Sequence, residues 1–419
     1  MNKQNQNEQR LAVIDARSDQ SEITVFSISL LERNLRLLAL YGITQTVIIT
    51  NDDRRVKFRE DFGRFKPITY RIHPSPKLLI DALKEVPEIQ DNTFVLLQGN
   101  AIYQEALIDQ AIQAQSNTTF ANSQKKMPGL LRLDANALQN LDVSCNDVGV
   151  LAAALAENRK ISVVDVARTM VYMRNLRKSI HPYAFEVHDK RAASEAEAYL
   201  FEVTHYGAID VVAKYFYKVL SKVLVKWIAK THITPNQITY TSILFAFTVA
   251  PLFAFGLLTW GIAHAIVVSI LDVCDGKLAR FTYRTSDQGD KLDHVADRIN
   301  IYLYYVGFGI GLKVAGFLDS WQTTFYLISA VVGGHILDKL AARAFRYYHK
   351  MRIHDFSPLD GYARLFLPRR NIFIYMMMVG LVIGKPVATY IAYACWMMVY
   401  VVFHFGRVIV EKPKKERTN

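Results

Sequence analysis

Six apolar segments in the second half of the chain constrain its fold more than any other feature. They cover about residues 238–260, 261–274, 299–317, 321–336, 372–383 and 387–410. A helix needs about 20 mostly apolar residues to cross a bilayer, with some range for tilt and partial burial. Pro235 follows Thr234 just before the first segment and fits the first position of a helix. The sequence therefore predicts an all-α, polytopic membrane domain of about six transmembrane helices over residues 233–419.

The first 200 residues have a different pattern. Short apolar runs at 11–16, 46–50 and 93–97 resemble strands, and helical patterns such as 29–40 lie between them. Strands that alternate with helices indicate βαβ units and a mainly parallel sheet. The chain is 51% hydrophobic and 21% charged, a balance that excludes a disordered polar chain. Residues 1–200 are therefore predicted to form a soluble α/β domain.

A basic stripe lies between these two regions. Its lysines recur every four residues, with apolar side chains beside them: Lys214, Lys218, Lys222, Lys226 and Lys230, next to Val219, Val223 and Trp227. The stripe could be the solvated face of a helix. Its place directly before a spanning segment favours an amphipathic juxtamembrane helix over residues 201–232, in contact with anionic headgroups.

The distribution of charge predicts the orientation in the membrane. Basic residues precede the first span and recur in the tail at residues 411–419. Lysine and arginine accumulate on the cytoplasmic side, and an even number of spans returns the chain to the side where it started. We expect a multi-pass protein of the cell membrane with both termini and the active site in the cytoplasm. Because the basic residues flank spans, the net charge of +12 does not indicate a nucleic-acid partner.

Four aspartates stand at the edge of the predicted spans. Asp272 and Asp275 are three residues apart, and Asp293 and Asp297 are four apart, so each pair shares a helix face. A polar connection that includes Gly289 predicts an antiparallel hairpin that brings the pairs together. Four uncompensated carboxylates at a membrane boundary would be costly, and one or two divalent cations would neutralise them. Their hard oxygen ligands favour Mg²⁺ or Mn²⁺ over zinc.

These residues carry a resemblance to a known family. The pattern Asp272-x2-Asp275-Gly276-x2-Ala279-Arg280-x8-Gly289-x3-Asp293-x3-Asp297 matches the signature of the CDP-alcohol phosphotransferases without a gap. The resemblance covers about residues 200–410. It implies a six-helix membrane bundle, a homodimer and an active site facing the cytoplasm. It also implies transfer of a phosphatidyl or polyol phosphate group from a CDP-alcohol donor to an acceptor hydroxyl with release of CMP, in phospholipid or inositol-phosphate-type biosynthesis.

The resemblance also implies roles for the matching residues. Asp272, Asp275 and Asp293 look like ligands of a two-metal centre that binds the diphosphate. Asp297 looks like a further carboxylate of that centre and the candidate general base. The remaining four residues match positions that line the CDP pocket: Gly276, Ala279, Arg280 and Gly289. Metal ions would stabilise CMP as the leaving group, while Asp297 would accept the proton of the acceptor hydroxyl.

Basic residues further along the chain are candidates for the acceptor site. Lys339, Arg343 and Arg346 lie on a predicted helix, and Arg364, Arg369 and Arg370 precede the fifth span. They could anchor the chain according to the positive-inside rule. They could also form a pocket for a phosphorylated acceptor such as inositol phosphate or glycerol phosphate. The sequence leaves both interpretations open.

The first domain resembles sugar-nucleotidyltransferase-like domains, which precede some relatives of this transferase and make CDP-inositol there. The resemblance rests on the segment 29–38, followed by Gly42-Ile43 and a strand. An active domain of this type needs a glycine-rich loop for the triphosphate, and residues 11–28 contain no glycine. Gly99-Asn100 also stands where the family has Gly-Asp, whose carboxylate holds the metal. We therefore expect a degenerate domain without cytidylyltransferase activity.

Two other functions compete with this interpretation. A bifunctional cytidylyltransferase and phosphotransferase would use both halves, although the missing loop argues against it. An ion-coupled transporter would also carry carboxylates within its spans. Here the acids cluster in one hairpin at the membrane edge, and no inverted repeat is evident.

Overall fold

The chain forms two compact units. The computed structural model describes residues 10–60, 62, 67–90, 92–121, 127–138, 145–166, 170–173, 178–204, 210–284 and 287–410, without the side chains of residues 55 and 287–294. The first unit comprises Met1–His205 together with Arg280–Arg284, and the second comprises Tyr206–Ala279 and Thr285–Asn419. The first unit is therefore built from two separate stretches of the chain.

The first unit is an α/β domain. Its strands are β1 (Leu11–Asp15), β2 (Thr24–Val25), β3 (Ile28–Ser29), β4 (Gln45–Thr50), β5 (Tyr70–Pro74), β6 (Phe94–Gln98), β7 (Ala101–Tyr103), β8 (Thr118–Ala121), β9 (Leu130–Leu133), β10 (Ser162–Asp165), β11 (Val171–Met173), β12 (Lys178–Ile180) and β13 (Ala184–Glu186). Its helices are α1 (Leu30–Leu40), α2 (Leu79–Lys84), α3 (Glu105–Gln113), α4 (Val148–Glu157) and α5 (Lys190–Val203).

The main sheet has seven of the described strands in the order β10-β8-β9-β6-β1-β4-β5. β1 pairs in parallel with β4 and β6, and β4 with β5, whereas β9 runs antiparallel to β6 and β8. The three central strands are buried along almost their whole length, because helices cover both faces of a parallel sheet and leave no solvated side. The predicted mainly parallel α/β domain is confirmed.

The second unit is all-helical. Its helices are α6 (Lys218–Ala229), α7 (Pro235–Ala254), α8 (Leu258–Thr282, whose last residues belong to the first unit), α9 (Asp287–Val314), α10 (Trp321–His349), α11 (Pro358–Ala363), α12 (Arg370–Val382) and α13 (Pro386–Val410). A π-helical turn, Ala213–Tyr217, precedes α6, and the 3₁₀ turns Ile353–Asp355 and Arg364–Phe366 flank α11.

The helices of the second unit occupy the positions of the six predicted spans. Among the described residues, four helices are long and apolar enough to cross a membrane: α7, α8, α10 and α13. α11 and α12, which meet at a bend of 41°, qualify as a fifth span when taken together. The expectation of about six spans thus becomes four or five by length and composition. α9 does not qualify, and its first half holds the polar sequence DQGDKLDHVADR.

Local sequence explains how the first span begins. The Thr234 side chain accepts a hydrogen bond from the Gln237 backbone N–H, and the Gln237 side chain accepts one from the Thr234 N–H. This capping box satisfies two donors at the end of the helix. Pro235 occupies the first turn, where no backbone N–H is needed. The predicted helix start at Pro235 is confirmed.

Close packing of α7 on α9 depends on glycine. A Cβ at Gly311 would lie 2.1 Å from the Phe253 carbonyl oxygen, and one at Gly307 would lie 2.9 Å from that of Ala250. The two glycines are four residues apart and form the small-residue face that lets helices approach closely in a bilayer. The packing aligns α9, which carries two of the predicted aspartates, against the first span.

Within the first unit, residues 280–284 are enclosed by side chains of the α/β domain. Phe281 is 1% exposed and stacks on Phe26 with ring centroids 4.1 Å apart. Arg33 donates to the Phe281 carbonyl oxygen at 2.6 Å, and Arg36 donates to that of Thr282 at 3.1 Å. The last carbonyls of a helix have no partner within it, so these two arginines satisfy the end of α8.

Candidate active site

The first aspartate pair lies on α8, as the spacing predicts. Asp275 is 7% exposed, and it accepts hydrogen bonds from the Thr239 hydroxyl at 2.6 Å and from the Gly276 N–H at 2.5 Å. Thr239 comes from α7, so two helices fix this carboxylate. Asp272 lies one turn earlier, and its side chain is 22% exposed. The pair therefore combines one held carboxylate with one that solvent can reach.

Arg370 joins this pair to the second. Arg370 is the first residue of α12. Its guanidinium donates from Nη2 to Asp272 Oδ2 at 2.7 Å and from Nη1 to Asp297 Oδ1. One guanidinium thus bridges carboxylates from α8 and α9. Asp272 and Asp297 therefore contact the same arginine, Arg370.

The described carboxylates supply only part of a metal site. Asp272 and Asp297 both contact the Arg370 guanidinium, and carboxylate oxygens are the ligands that Mg²⁺ and Mn²⁺ prefer. Asp293 and Gly289 belong to helix α9, and the position of the Asp293 side chain falls outside the described residues. Within the part of the chain that the structure describes, no group of three histidine, cysteine, aspartate or glutamate side chains is placed to hold a metal. The metal centre therefore stays a prediction.

Three predicted residues of the CDP pocket lie on α8, and the fourth, Gly289, lies on α9. Gly276 and Ala279 follow Asp275 along α8 and are half-buried. Arg280 is grouped with the first unit. There, burial raises the pKa of Glu105, and the positive charges of Arg280 and Arg33 oppose that shift. The proposed role of Arg280 toward the donor is not tested by these contacts.

A cluster of positive charge lies in the second unit. Lys339 on α10 interacts electrostatically with Arg364 and Arg369, which come from the segment before α12. Lys339 also interacts with the negative charge of Asp338, its neighbour on α10. The other two predicted acceptor residues, Arg343 and Arg346, are exposed further along α10. Lys339 therefore meets the arginines that precede the fifth span.

His354 lies beside this cluster. It is half-buried in the 3₁₀ turn Ile353–Asp355. Burial lowers the pKa of His354 to about 2, and the nearby charges of Arg364 and Arg369 lower it further. The imidazole is consequently neutral at physiological pH, and it adds no charge to the cluster.

One face of α13 holds the segment that carries Arg364. The Trp396 indole N–H donates to the Phe366 carbonyl oxygen at 2.9 Å, and the Tyr400 hydroxyl donates to that of Ala363 at 2.7 Å. Arg407 forms a two-pronged ion pair with Asp360, at 2.9 and 2.7 Å. These contacts were not predicted from the sequence, although an arginine near the end of an apolar span indicates a polar or charged partner.

In the first unit, polar side chains at the carboxyl ends of the sheet strands bond to other groups of the same unit. Arg17 follows β1, pairs with Asp15 through two hydrogen bonds of 2.8 and 2.9 Å, and donates to the Lys77 and Asn146 carbonyl oxygens. Asn100 donates to Gln20 at 2.8 Å. Ligands of open α/β sheets bind beyond the carboxyl ends of the strands, and here that edge is bonded internally.

The helical unit has four or five candidate spans, and carboxylates from two of its helices contact one arginine. Residues 232–406 match the family model of the CDP-alcohol phosphatidyltransferases. The chain therefore carries a CDP-alcohol phosphatidyltransferase domain at these residues, in agreement with the aspartate motif. The family indicates a transferase of phosphate-containing groups.

Other comparisons add the following. A search of curated proteins gave no match. Among solved structures, the chain is similar to a Bacillus anthracis protein described as a glucose-1-phosphate thymidylyltransferase. The two are 10% identical, with a TM-score of 0.31, and the match covers 45% of this chain and 94% of that one.

Proposed function

We propose that the protein transfers a phospho-alcohol group from a CDP-alcohol to the hydroxyl of an acceptor and releases CMP. The observation that carries the proposal is the bridge from Arg370 to Asp272 and Asp297, which brings acids of the family motif from two helices to one cation position. A membrane-embedded domain of this family and a carboxylate site at the same residues support the same chemistry.

The cofactor is expected to be Mg²⁺ or Mn²⁺. Asp272, Asp275, Asp293 and Asp297 would hold one or two ions. Bound divalent cations neutralise a diphosphate and lower the cost of charge on the leaving group. The protein's own part is orientation, because the Thr239 hydroxyl and the Gly276 N–H fix the Asp275 carboxylate.

Asp297 is the proposed general base. A general base must reach the proton that it removes, and a carboxylate on α9 beside Asp272 would lie next to the donor phosphate. The acceptor hydroxyl would lose its proton to Asp297 as its oxygen attacks phosphorus. The bond from phosphorus to the CMP oxygen then breaks. Arg370, which contacts both acids, would balance their charge before the substrate arrives.

We place the phosphate of a phosphorylated acceptor near Lys339, Arg364 and Arg369. Three cations that repel one another are stabilised by an anion with several acceptor oxygens, and arginine offers paired donors to phosphate. Inositol phosphate and glycerol phosphate have the required chemistry. Arg343 and Arg346 lie further along α10, and we propose an anchoring role for them.

The helix before the first span supports a membrane-surface role. Tyr215, Val219, Val223 and Trp227 are 62 to 68% exposed at four-residue spacing. The lysine stripe lies beside them. An apolar face next to lysines is the pattern of a helix in the headgroup region. We propose this position for α6, with the active site and both termini in the cytoplasm, and we expect a homodimer.

The first unit is proposed to have lost nucleotidyl transfer. The Arg17–Asp15 pair and the Asn100–Gln20 hydrogen bond engage polar side chains at the sheet edge. An amide at Asn100 is a weaker Mg²⁺ ligand than a carboxylate. A bifunctional enzyme stays the alternative, and it requires that this edge open to bind CTP.

The test is an assay of CMP release. Purified full-length protein in detergent would be supplied with Mg²⁺, CDP-diacylglycerol or a CDP-polyol, and inositol 1-phosphate, glycerol 3-phosphate or inositol as acceptor. We expect CMP release only with a matching donor and acceptor, and none after addition of EDTA. Asp319→Asn, an exposed aspartate of the second unit, is the control variant and should keep full activity. Absence of CMP release from every combination would overturn the proposal.

A further inference from the structure

The face of α13 that holds the neighbouring segment has a regular spacing. Trp396, Tyr400, His404 and Arg407 are separated by four, four and three residues, so their side chains lie on one side of the helix. Each makes a polar contact with an element earlier in the chain. Polar groups within an apolar span are costly in a bilayer, and those that occur there pair with one another or belong to a functional site.

Two of these contacts flank Arg364. Tyr400 donates to the carbonyl of Ala363, one residue before it, and Trp396 donates to the carbonyl of Phe366, two residues after it. Arg364 itself is 3% exposed. The backbone on both sides of this arginine is thus fixed by α13, and rotation of the 3₁₀ turn Arg364–Phe366 would break both hydrogen bonds.

The other two contacts of this face of α13 fix Asp360 and Asp338. Arg407 holds Asp360, which is 1% exposed and also accepts from the Ser357 hydroxyl at 2.7 Å. His404 Nδ1 lies 2.6 Å from Asp338 Oδ1, and Asp338 precedes Lys339 on α10. The same face of α13 therefore reaches both elements that supply the cationic cluster.

We propose that Trp396, Tyr400, His404 and Arg407 are positioning residues that set Arg364 and Lys339 at the distance needed for the acceptor phosphate. This inference rests on the proposed function, because it takes the cationic cluster as the acceptor site. None of the four residues touches the substrate; they act through the backbone around Arg364 and through Asp338. Acceptor affinity should therefore depend on α13, whereas donor affinity should not.

Tyr400→Phe is the sharpest variant, because it removes one hydroxyl and leaves the ring. Loss of one hydrogen bond should raise the KM for the phosphorylated acceptor about three- to tenfold. The KM for the CDP-alcohol and the Mg²⁺ requirement should stay unchanged. Trp396→Phe should have the same pattern. Tyr362→Phe makes the same change at a 70% exposed tyrosine of α11 and is the matched control.

A binding measurement separates positioning from general stability. Inorganic phosphate should raise the thermal midpoint of the full-length protein in detergent, and it should raise that of Tyr362→Phe equally. The increase should be smaller in Tyr400→Phe at the same phosphate concentration. A lower midpoint in Tyr400→Phe with both KM values and the phosphate response unchanged would mean a structural role only and would overturn the inference.

The remaining outcomes are also decisive. If the wild type releases CMP with an unphosphorylated acceptor and does not respond to phosphate, the cluster is not an acceptor site and the inference is wrong, while the transferase proposal stands. If the KM values for donor and acceptor rise together in Tyr400→Phe, α13 supports the whole site rather than the acceptor pocket. That result also contradicts the inference.

Discussion

At the scale of single residues, substitution of the two aspartates of α9 should have different effects on donor binding and CMP release. Asp293→Asn removes a proposed metal ligand and should abolish CMP release while the protein still inserts and folds. Asp297→Asn should keep CDP-alcohol binding and lose the chemical step, because an amide cannot accept a proton. Donor binding by calorimetry and CMP release would be measured for both variants.

Two results would revise these assignments. Near-normal turnover of Asp293→Asn at saturating Mg²⁺ would exclude Asp293 from the metal shell. If Asp297→Asn lost donor binding as severely as rate, Asp297 would act as a metal ligand only, and its role as the general base would be wrong. Asp319→Asn again serves as the control, since its carboxylate is exposed.

His354 should make stability depend on pH. Its pKa is lowered to about 2 by burial and by Arg364, Arg369, His404 and Lys339. The unfolded chain binds the proton near pH 6.5 and the folded protein does not, so the free energy of unfolding falls as the pH drops below about 6.5. The slope should be at most about 1.4 kcal/mol per pH unit for this one group.

Thermal unfolding of full-length protein between pH 7.5 and 5 would measure that slope. His354→Gln should flatten it, because the variant has no group to protonate at this position. His232→Gln changes an exposed histidine and should leave the slope as it is. An identical slope in wild type and His354→Gln would contradict the assignment.

At the scale of elements, the β2–β3 hairpin should gain stability from one glycine. Its two turn residues, Phe26 and Ser27, have φ values of 51° and 60°. Two-residue hairpin turns require positive φ and favour glycine at the second position, where a side chain is strained. Ser27→Gly should therefore stabilise the protein by roughly 0.4–1 kcal/mol.

Chemical denaturation monitored in the first unit would detect this gain. Ser162→Gly, at the exposed first residue of β10, is the control and should lose stability, because glycine gives the unfolded chain more freedom there without relieving a positive φ. A loss of stability in Ser27→Gly would mean that the serine makes a contact worth more than the backbone strain.

Elements whose signals are local could be predicted from the sequence. Thr234-Pro235 marks the start of α7, and aspartates three or four apart share a helix face wherever the helix forms. The partner of those aspartates could not be predicted, because Arg370 lies 98 residues after Asp272. Thr239 was missed for the same reason, since a threonine in an apolar span gives no sign of its partner.

At the scale of the whole molecule, the chain should catalyse one reaction rather than two. A full-length Asp272→Asn variant, inactive as a transferase, should release no pyrophosphate from CTP with inositol phosphate or a sugar phosphate. The reason is the internally bonded sheet edge of the first unit, where Arg17 is held by Asp15 and by two backbone carbonyls. A coupled pyrophosphate assay would measure this.

One outcome of the pyrophosphate assay would contradict this prediction. Pyrophosphate release that depends on CTP and is lost in Arg17→Met would show that the sheet edge opens and would restore the bifunctional alternative. The absence of glycine after β1 and the amide at Asn100 could be recognised from sequence alone. The full bonding of Arg17 could not be predicted from the sequence, because it also donates to the carbonyl oxygens of Lys77 and Asn146, which lie 60 and 129 residues away.

The position of α13 in the chain has a consequence for biosynthesis. A chain made from its N-terminus delivers Arg364 to the membrane before the helix whose side chains hold the flanking carbonyls. The aspartates of α8 and α9 can assemble earlier. In a nascent chain stalled before α13, the aspartates of α8 and α9 would therefore be in place, whereas the backbone around Arg364 would lack the hydrogen bonds that α13 donates.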